Sequence, residues 1–245
     1  FLEFSPDEKK VALCPSFGVD TIKRFNARHF KKSIEKFNKI SVREESGQHI
    51  IYDLTGKKVP ILSDPVMLLD RSDWHDFAKA SSIRFDDYIF VHFLGTPSTN
   101  ALQSINRIAA ILKLKVVCFA NIYDEYNKLT DRIFVSGSPY DYVSLIENAS
   151  FVCTDSFHTS HFSIIFNKRF VTFDRAYGHS NKQSTRISNL LLSYQCSDRF
   201  LHDDSLPGKL LTFIPDFDTV RETKTDEIRR YLLGALPIQN NVKPK

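Results

Sequence analysis

The feature that most constrains the fold is an alternation of short apolar runs with longer segments of helical period. Strands buried on both faces give continuous apolar runs, and parallel strands need crossover helices between them. The strand candidates are Lys10–Cys14, Lys39–Val42, Val59–Leu62, Tyr88–Phe93, Lys115–Phe119, Ile133–Val135, Ser150–Thr154 and Arg169–Phe173. The later helix candidates are Asn100–Lys113, Tyr140–Asn148, Phe157–Phe166 and Ser184–Ser193. The pattern therefore predicts an α/β fold with parallel sheets.

The strand candidates fall into two series. The charged stretch "DPVMLLDRSDWHDFAKASSIRFDD" separates them and is interpreted as an irregular connection. We predict a partial N-terminal domain with linker over residues 1–80, a C-terminal domain over 81–215, and a C-terminal helix and tail over 216–245. The first strand candidate already begins at Lys10, so we expect the N-terminal domain to be incomplete. Two parallel sheets joined in this way predict a ligand cleft at the carboxyl ends of their strands.

Charge and composition narrow the classes of function. The chain of 245 residues has 33 Lys plus Arg against 29 Asp plus Glu, a net charge of +4 without a clustered basic stretch, so we expect no nucleic-acid partner. An anionic small substrate is compatible with this balance. No apolar run approaches the roughly 20 residues that cross a bilayer, and we expect a cytoplasmic protein. The four cysteines are widely spaced without a CxxC pair, which predicts buried, reduced thiols.

The stretch "SFVCTDSFHTSHFSIIF" is the strongest candidate site. It predicts a strand followed by a helix that Asp155 or Ser156 caps, with Phe157 at its start. Backbone N–H groups and the positive end of the helix dipole there would bind an anion, and His158 in the first turn could act as a general acid. The competing interpretation places both His158 and His161 in the protein interior. No further cluster of ligands completes a metal site, so none is expected.

Several motifs in this order resemble the polysaccharide pyruvyl transferase family. They are "CPSFG", "ISVREESG", "LSDPVMLLD", "TDSFHTSHFSIIFNKRFVTFDR" and "RISNLLLSY". The resemblance implies two Rossmann-like domains facing a cleft in a GT-B-like arrangement. It implies transfer of pyruvate from phosphoenolpyruvate onto a saccharide of a cell-surface polysaccharide precursor, as a ketal, with no cofactor. The acceptor would be a saccharide or a lipid-linked oligosaccharide, through which the protein would contact the inner face of the membrane.

The resemblance also implies roles for single residues. The motif histidine, associated with donor binding and acid catalysis, falls on His158. The arginine of the "VRE" motif, which holds the donor, falls on Arg43, although a salt bridge to Glu44, Glu45 or another surface carboxylate is the alternative. Glu44 would orient Arg43, contact the acceptor or serve in a structural pair. Ser16 and Gly18 of "CPSFG" end a strand and either meet ligand or form a plain turn.

Three positions depart from the family pattern. Some members have an arginine where this chain has Ser156, and we expect Arg175 or Arg186 to supply that charge. The glycine that follows the motif histidine is Thr159 here. His92 ends a strand where relatives often have tyrosine, and we expect it to contact the acceptor. These departures keep two alternatives open: a glycosyltransferase that uses a nucleotide sugar, and a non-catalytic saccharide-binding relative.

Overall fold

The computed structural model describes residues 2–120, 123–175, 184–202, 206–214 and 216–236. Contacts divide the chain into two compact units. Unit 1 comprises Phe1–Leu68 and Glu222–Lys245, and unit 2 comprises Leu69–Arg221. The division therefore follows Leu68, whereas the sequence analysis draws it at residue 80. The last helix begins in unit 2 and ends in unit 1, so it is not a separate segment.

Unit 1 contains a short parallel pair with two helices. Its elements are β1 (Val11–Ala12), α1 (Arg24–Glu35), β2 (Lys39–Ile40) and α2 (Glu45–Thr55), followed by a 3-10 turn at Pro65–Leu68. The third predicted strand, Val59–Leu62, is reduced to a single parallel bridge between Val42 and Ile61. The described core of this unit consists of Ile34, Val42, Ile51 and Val59.

Unit 2 is built on a parallel sheet, which has six strands among the described residues. The strands are β3 (Tyr88–His92), β4 (Lys115–Phe119), β5 (Arg132–Val135), β6 (Phe151–Thr154), β7 (Phe170–Phe173) and β8 (Phe200–Leu201). The sheet order β5-β4-β3-β6-β7-β8 is the 3-2-1-4-5-6 order of a Rossmann fold when the strands are counted within this unit. The predicted α/β class with parallel strands is confirmed.

Helices precede, connect and follow these strands. They are α3 (Arg71–Ala78), α4 (Thr99–Leu112), α5 (Pro139–Asn148), α6 (Phe157–Ile165), α7 (Ser184–Ser193), α8 (Lys209–Thr212) and α9 (Asp218–Ala235). The core lies between α4 and the sheet, and it includes Ile105, Ile108, Val91, Val116 and Phe151. The predicted buried thiols are confirmed, since Cys14, Cys118, Cys153 and Cys196 are all free and buried.

The interpretation of the charged stretch as irregular was wrong over residues 71–78. Asp70 and Asp73 form a capping box that starts α3. Trp74 then packs edge-on against Phe162 of α6, with ring centroids 4.8 Å apart. These contacts place the connection in unit 2. Among the described residues, no helix is both long enough and apolar enough to span a membrane.

Candidate active site

The strand order of unit 2 creates one natural ligand position. Strands β3 and β6 are neighbours, with His92 opposite Thr154, and their crossover connections leave toward opposite sides of the sheet. In open parallel sheets, ligands bind at such a switch point beyond the carboxyl ends of the strands. His92 ends β3, and Asp155 directly follows β6.

Ser156, and not Asp155, caps the helix that begins there. Its Oγ accepts a hydrogen bond of 3.3 Å from the backbone N–H of Thr159, and its own N–H donates to Thr154 Oγ1 at 2.9 Å. Helix α6 therefore begins at Phe157, and its positive dipole end lies at the carboxyl edge of β6.

Asp155 and Arg175 form a buried pair beside the switch point. Asp155 Oδ1 and Oδ2 accept hydrogen bonds from the N–H groups of Leu94 at 2.7 Å and Gly95 at 2.8 Å. Arg175 donates through Nη2 to the Asp155 carbonyl at 2.7 Å, and its Nε lies 3.4 Å from Asp155 Oδ2. Burial raises the pKa of the Asp155 carboxyl, while the two N–H donors and the guanidinium act in the opposite direction. The pair ties together the segments that follow β3, β6 and β7.

An aromatic and basic cluster occupies the first turns of α6. His158 is exposed, and its ring lies 5.6 Å from the Phe157 ring. The Arg186 guanidinium of α7 lies over the same ring at 5.9 Å. His161 is buried and donates through Nδ1 to the Phe157 carbonyl at 3.0 Å. The interior interpretation is therefore confirmed for His161, whereas His158 and Arg186 each lie near the Phe157 ring at the helix start.

His92 lies in the interior and bonds to α6. Its Nδ1 is 2.9 Å from Thr159 Oγ1, and the same hydroxyl is 2.8 Å from the Tyr142 hydroxyl of α5. Burial lowers the pKa of His92 to about 4, with a further contribution from the charge of Arg175. Burial also raises the pKa of Tyr142 to about 12. Sequence reasoning missed Tyr142, because an aromatic residue inside an amphipathic helix carries no distinguishing signal.

Unit 1 brings the remaining predicted residues together. Arg43 donates to the Asp64 carboxylate, and its Nε is 3.9 Å from Glu44 Oε2. Glu44 is buried, and its Oε1 accepts from the N–H of Phe17 at 3.0 Å. Arg43 therefore has carboxylate partners of the kind that the salt-bridge alternative names, and these are Glu44 and Asp64.

The "CPSFG" segment is a turn joined to this group. Ser16 Oγ accepts from the N–H of Gly18 at 3.1 Å, and Gly18 has φ +66°, a conformation that favours glycine. Through Phe17 and Glu44, the turn and Arg43 form one local arrangement. The two sets of predicted residues thus lie in different units: Ser16, Gly18, Arg43 and Glu44 in unit 1, and the others in unit 2. In the described part of the chain, no group of three or more His, Cys, Asp or Glu side chains could hold a metal ion.

Sequence comparison identifies the family. A family model described as polysaccharide pyruvyl transferase matches residues 3–177. The chain belongs to this family. The polysaccharide pyruvyl transferase match spans both units and includes every predicted site residue except Arg186. No curated protein sequence matches the chain.

Solved structures show only a distant likeness to this pyruvyl transferase family member. The UDP-GlcNAc 2-epimerase of Neisseria meningitidis has 10% identity and a TM-score of 0.48, over 87% of this chain and 67% of the epimerase. The enzyme of the same name from Methanocaldococcus jannaschii has 10% identity and a TM-score of 0.42, over 82% of this chain and 62% of the other. A Rickettsia africae glycosyltransferase has 11% identity and a TM-score of 0.44, over 91% and 69%. Likenesses of this size carry no argument about the reaction.

The three departures from the family pattern meet in this structure. Ser156 caps α6 through Thr159, and Thr159 bonds to His92. Thr159, at the position where the resemblance implies a glycine, is thus fully buried and hydrogen-bonded. In this polysaccharide pyruvyl transferase family member, the departures therefore form one local arrangement beneath the first turn of α6.

Proposed function

We propose that this family member transfers pyruvate from phosphoenolpyruvate onto a saccharide as a cyclic ketal. The observation that carries the proposal is the position of His158: exposed, in the first turn of α6, at the carboxyl edge of the Rossmann sheet, with Arg186 close by. An acid and a set of anion-binding groups in one place match the needs of an enol phosphate. The family match supports the assignment.

The chemistry requires one proton donor and two saccharide hydroxyls. Protonation of the enol carbon of phosphoenolpyruvate by His158 would turn the methylene into a methyl group and leave cationic character on the neighbouring carbon. The two hydroxyl oxygens bond to that carbon, and each hydroxyl releases a proton. The bond between the same carbon and the phosphate oxygen breaks. One proton returns to the histidine, and the other leaves with phosphate or solvent. The donor itself supplies the pyruvyl group and the leaving group, so the proposal includes no cofactor.

Anion binding near His158 is assigned to the helix start and Arg186. The positive end of α6 and the guanidinium would hold phosphate or carboxylate oxygens. Arg175 is not proposed for this role, because its guanidinium lies against Asp155. Arg43 stays a donor-binding candidate in unit 1. The acceptor, a saccharide or lipid-linked oligosaccharide of a cell-surface polysaccharide precursor, and contact with a membrane through it are part of the proposal.

Phosphate release from phosphoenolpyruvate in the presence of a panel of glycans tests the assignment. We expect the parent to release phosphate in an acceptor-dependent manner, and His158→Gln to lose at least a hundredfold in rate, the typical contribution of a general acid. His29→Gln, which changes an exposed histidine of α1, is the matched control and should behave like the parent. Equal rates in parent and His158→Gln would remove His158 as the acid.

Ligand-induced stabilisation separates this function from sugar transfer. Phosphoenolpyruvate at about a hundred times its dissociation constant should add about 2.7 kcal/mol to the free energy of unfolding. Arg186→Met and Arg43→Ala should each reduce the effect if these side chains hold the donor. Stabilisation by a nucleotide sugar and not by phosphoenolpyruvate would contradict the proposal.

A further inference from the structure

Three side chains beneath the first turn of α6 form a continuous hydrogen-bonded chain. It runs from the Tyr142 hydroxyl to Thr159 Oγ1 at 2.8 Å and ends at His92 Nδ1, 2.9 Å further on. Thr159 and His92 are buried, with at most 8% of either residue exposed. The chain links α5, α6 and β3 at the switch point.

Each hydroxyl has one hydrogen to donate. If His92 donates from Nδ1 and Thr159 donates to Tyr142, the Tyr142 hydrogen has no acceptor among the described residues. If His92 and Tyr142 both donate to Thr159, the Thr159 hydrogen has none. A buried donor without an acceptor is costly.

When Nδ1 carries no hydrogen, every hydrogen of the chain has an acceptor. Tyr142 donates to Thr159, and Thr159 donates to His92 Nδ1. The imidazole then carries its single hydrogen on Nε2. Its lowered pKa keeps the ring neutral near pH 7, in agreement with this tautomer.

The Nε2 atom of His92 is open to a ligand. Nε2 makes no hydrogen bond to any described residue. It also does not belong to the side-chain nitrogens and oxygens that are fully buried without a hydrogen bond, so part of its surface is exposed. The 8% of His92 that stays exposed therefore includes this nitrogen. A buried ring with one open N–H at the switch point is a directed, neutral hydrogen-bond donor.

We propose that His92 binds an anionic oxygen of the donor through its Nε2–H, and that Tyr142 and Thr159 are positioning residues that fix this tautomer. The inference rests on the proposed use of phosphoenolpyruvate and names one more contact in its site. The positive end of α6, which begins two residues before Thr159, favours an anion over a sugar hydroxyl here. The oxygen belongs to either phosphate or carboxylate.

Nitrogen NMR of the full chain with ¹⁵N-labelled histidine tests the tautomer, because protonated and bare ring nitrogens resonate far apart. The signals of His92 are those that disappear in His92→Gln. We expect a bare Nδ1 and a protonated Nε2 at pH 7. Thr159→Val removes the hydroxyl that donates to Nδ1 and should populate both tautomers, whereas Tyr140→Phe, at an exposed tyrosine of α5, should leave the signals unchanged. A protonated Nδ1 in the parent would overturn the proposal.

Titration with phosphoenolpyruvate, followed by the same signals, tests the contact. We expect Nε2 of His92 to shift on binding and His92→Phe to weaken binding about tenfold, as for a hydrogen bond to a charged group. Thr159→Ser, which keeps the hydroxyl, should bind like the parent. Inorganic phosphate and pyruvate, titrated separately, show which anionic group shifts Nε2. Binding that leaves His92 unmoved overturns this inference alone, whereas a parent that does not bind phosphoenolpyruvate overturns the proposed function as well.

Discussion

At the scale of single residues, the most consequential contact is the pair of Asp155 and Arg175. The sequence offered Arg175 as a substitute for the arginine that Ser156 replaces. In the structure its guanidinium lies against a buried carboxylate that also accepts two backbone N–H groups. A charge held in this way organises the segments after β3, β6 and β7.

Asp155→Asn should strongly destabilise the protein. The substitution leaves the buried guanidinium of Arg175 without its counter-charge, and breaking a buried pair in this way costs about 3–5 kcal/mol. Urea unfolding followed by circular dichroism measures the change. Asp76→Asn, which breaks an exposed pair with Lys79, is the control and should leave the midpoint unchanged. Equal midpoints in the two variants would show that the Asp155 pair contributes no net stability.

The buried imidazole of His92 should make stability depend on pH. Its pKa in the folded protein is about 4, below the ordinary 6.5, so between these values the unfolded chain binds a proton that the native ring does not. Its contribution is fully present above pH 6.5 and falls as the pH drops, by up to about 3 kcal/mol at pH 4. Urea midpoints between pH 7 and pH 4 should fall less in His92→Gln than in the parent or His29→Gln. Parallel curves for all three would contradict the shift.

At the scale of elements, helix α6 is the part that positions the site. Its start is set by the Ser156 cap, and its first turn bonds to β3 and α5 through Thr159. The turn that carries His158 is therefore held in place by side chains other than His158 itself.

Loss of two helix caps should have different consequences. Ser156→Ala and Ser98→Ala each remove a hydroxyl that accepts from a backbone N–H, at α6 and α4 respectively, and each should cost about 1 kcal/mol of stability. Only Ser156→Ala should also change acceptor-dependent phosphate release, because that cap fixes the first turn that carries His158. Equal activity in both variants would show that the α6 cap has a purely structural role.

Sequence patterns predicted the central elements of unit 2 well. Strands β3, β4, β6 and β7 are buried on both faces and stand out as apolar runs, and α5 begins at Pro139, one residue before the predicted start at Tyr140. The patterns failed where local signals are weak. Val59–Leu62 pairs only at one bridge, and α3 depends on a capping box inside a charged stretch.

The sequence predicted the positions of single residues in the candidate site, but not the hydrogen bonds that join them to other segments. The cap at Ser156 and the interior position of His161 follow from spacing along one helix. The bonds from Asp155 to Leu94 and Gly95, and from Thr159 to His92, depend on the register of β3 against β6. Such contacts join residues far apart in the chain, and no local pattern specifies them.

At the scale of the whole molecule, the two units differ in the cores that the structure describes. The core of unit 1 consists of Ile34, Val42, Ile51 and Val59 with partly buried neighbours. That of unit 2 runs along several strands of a wide sheet and the helix α4. Because stability grows with the apolar area buried, unit 1 should unfold more easily.

The buried cysteines report on each unit separately. Cys14 lies in unit 1, and Cys118, Cys153 and Cys196 lie in unit 2. All four thiols are buried, so alkylation of each requires local or global unfolding around it. Burial also raises the pKa of the Cys14 thiol to about 11, which lowers its reactivity in the folded protein. Pulsed alkylation across a urea series, read by mass spectrometry, should modify Cys14 at lower urea than the other three. Cys14→Ala should leave the midpoints of the other three unchanged. A single midpoint for all four thiols would mean that the units unfold together.

The central claim is the transfer of pyruvate from phosphoenolpyruvate as a ketal, and analysis of the product tests it most directly. The protein is incubated with ¹³C-labelled phosphoenolpyruvate and a glycan panel, and the glycan is examined by mass spectrometry and carbon NMR. We predict a labelled ketal carbon bonded to two sugar oxygens, with one phosphate released for each ketal formed. Phosphate release without label on the glycan, or labelled enol ether in place of the ketal, would contradict this account.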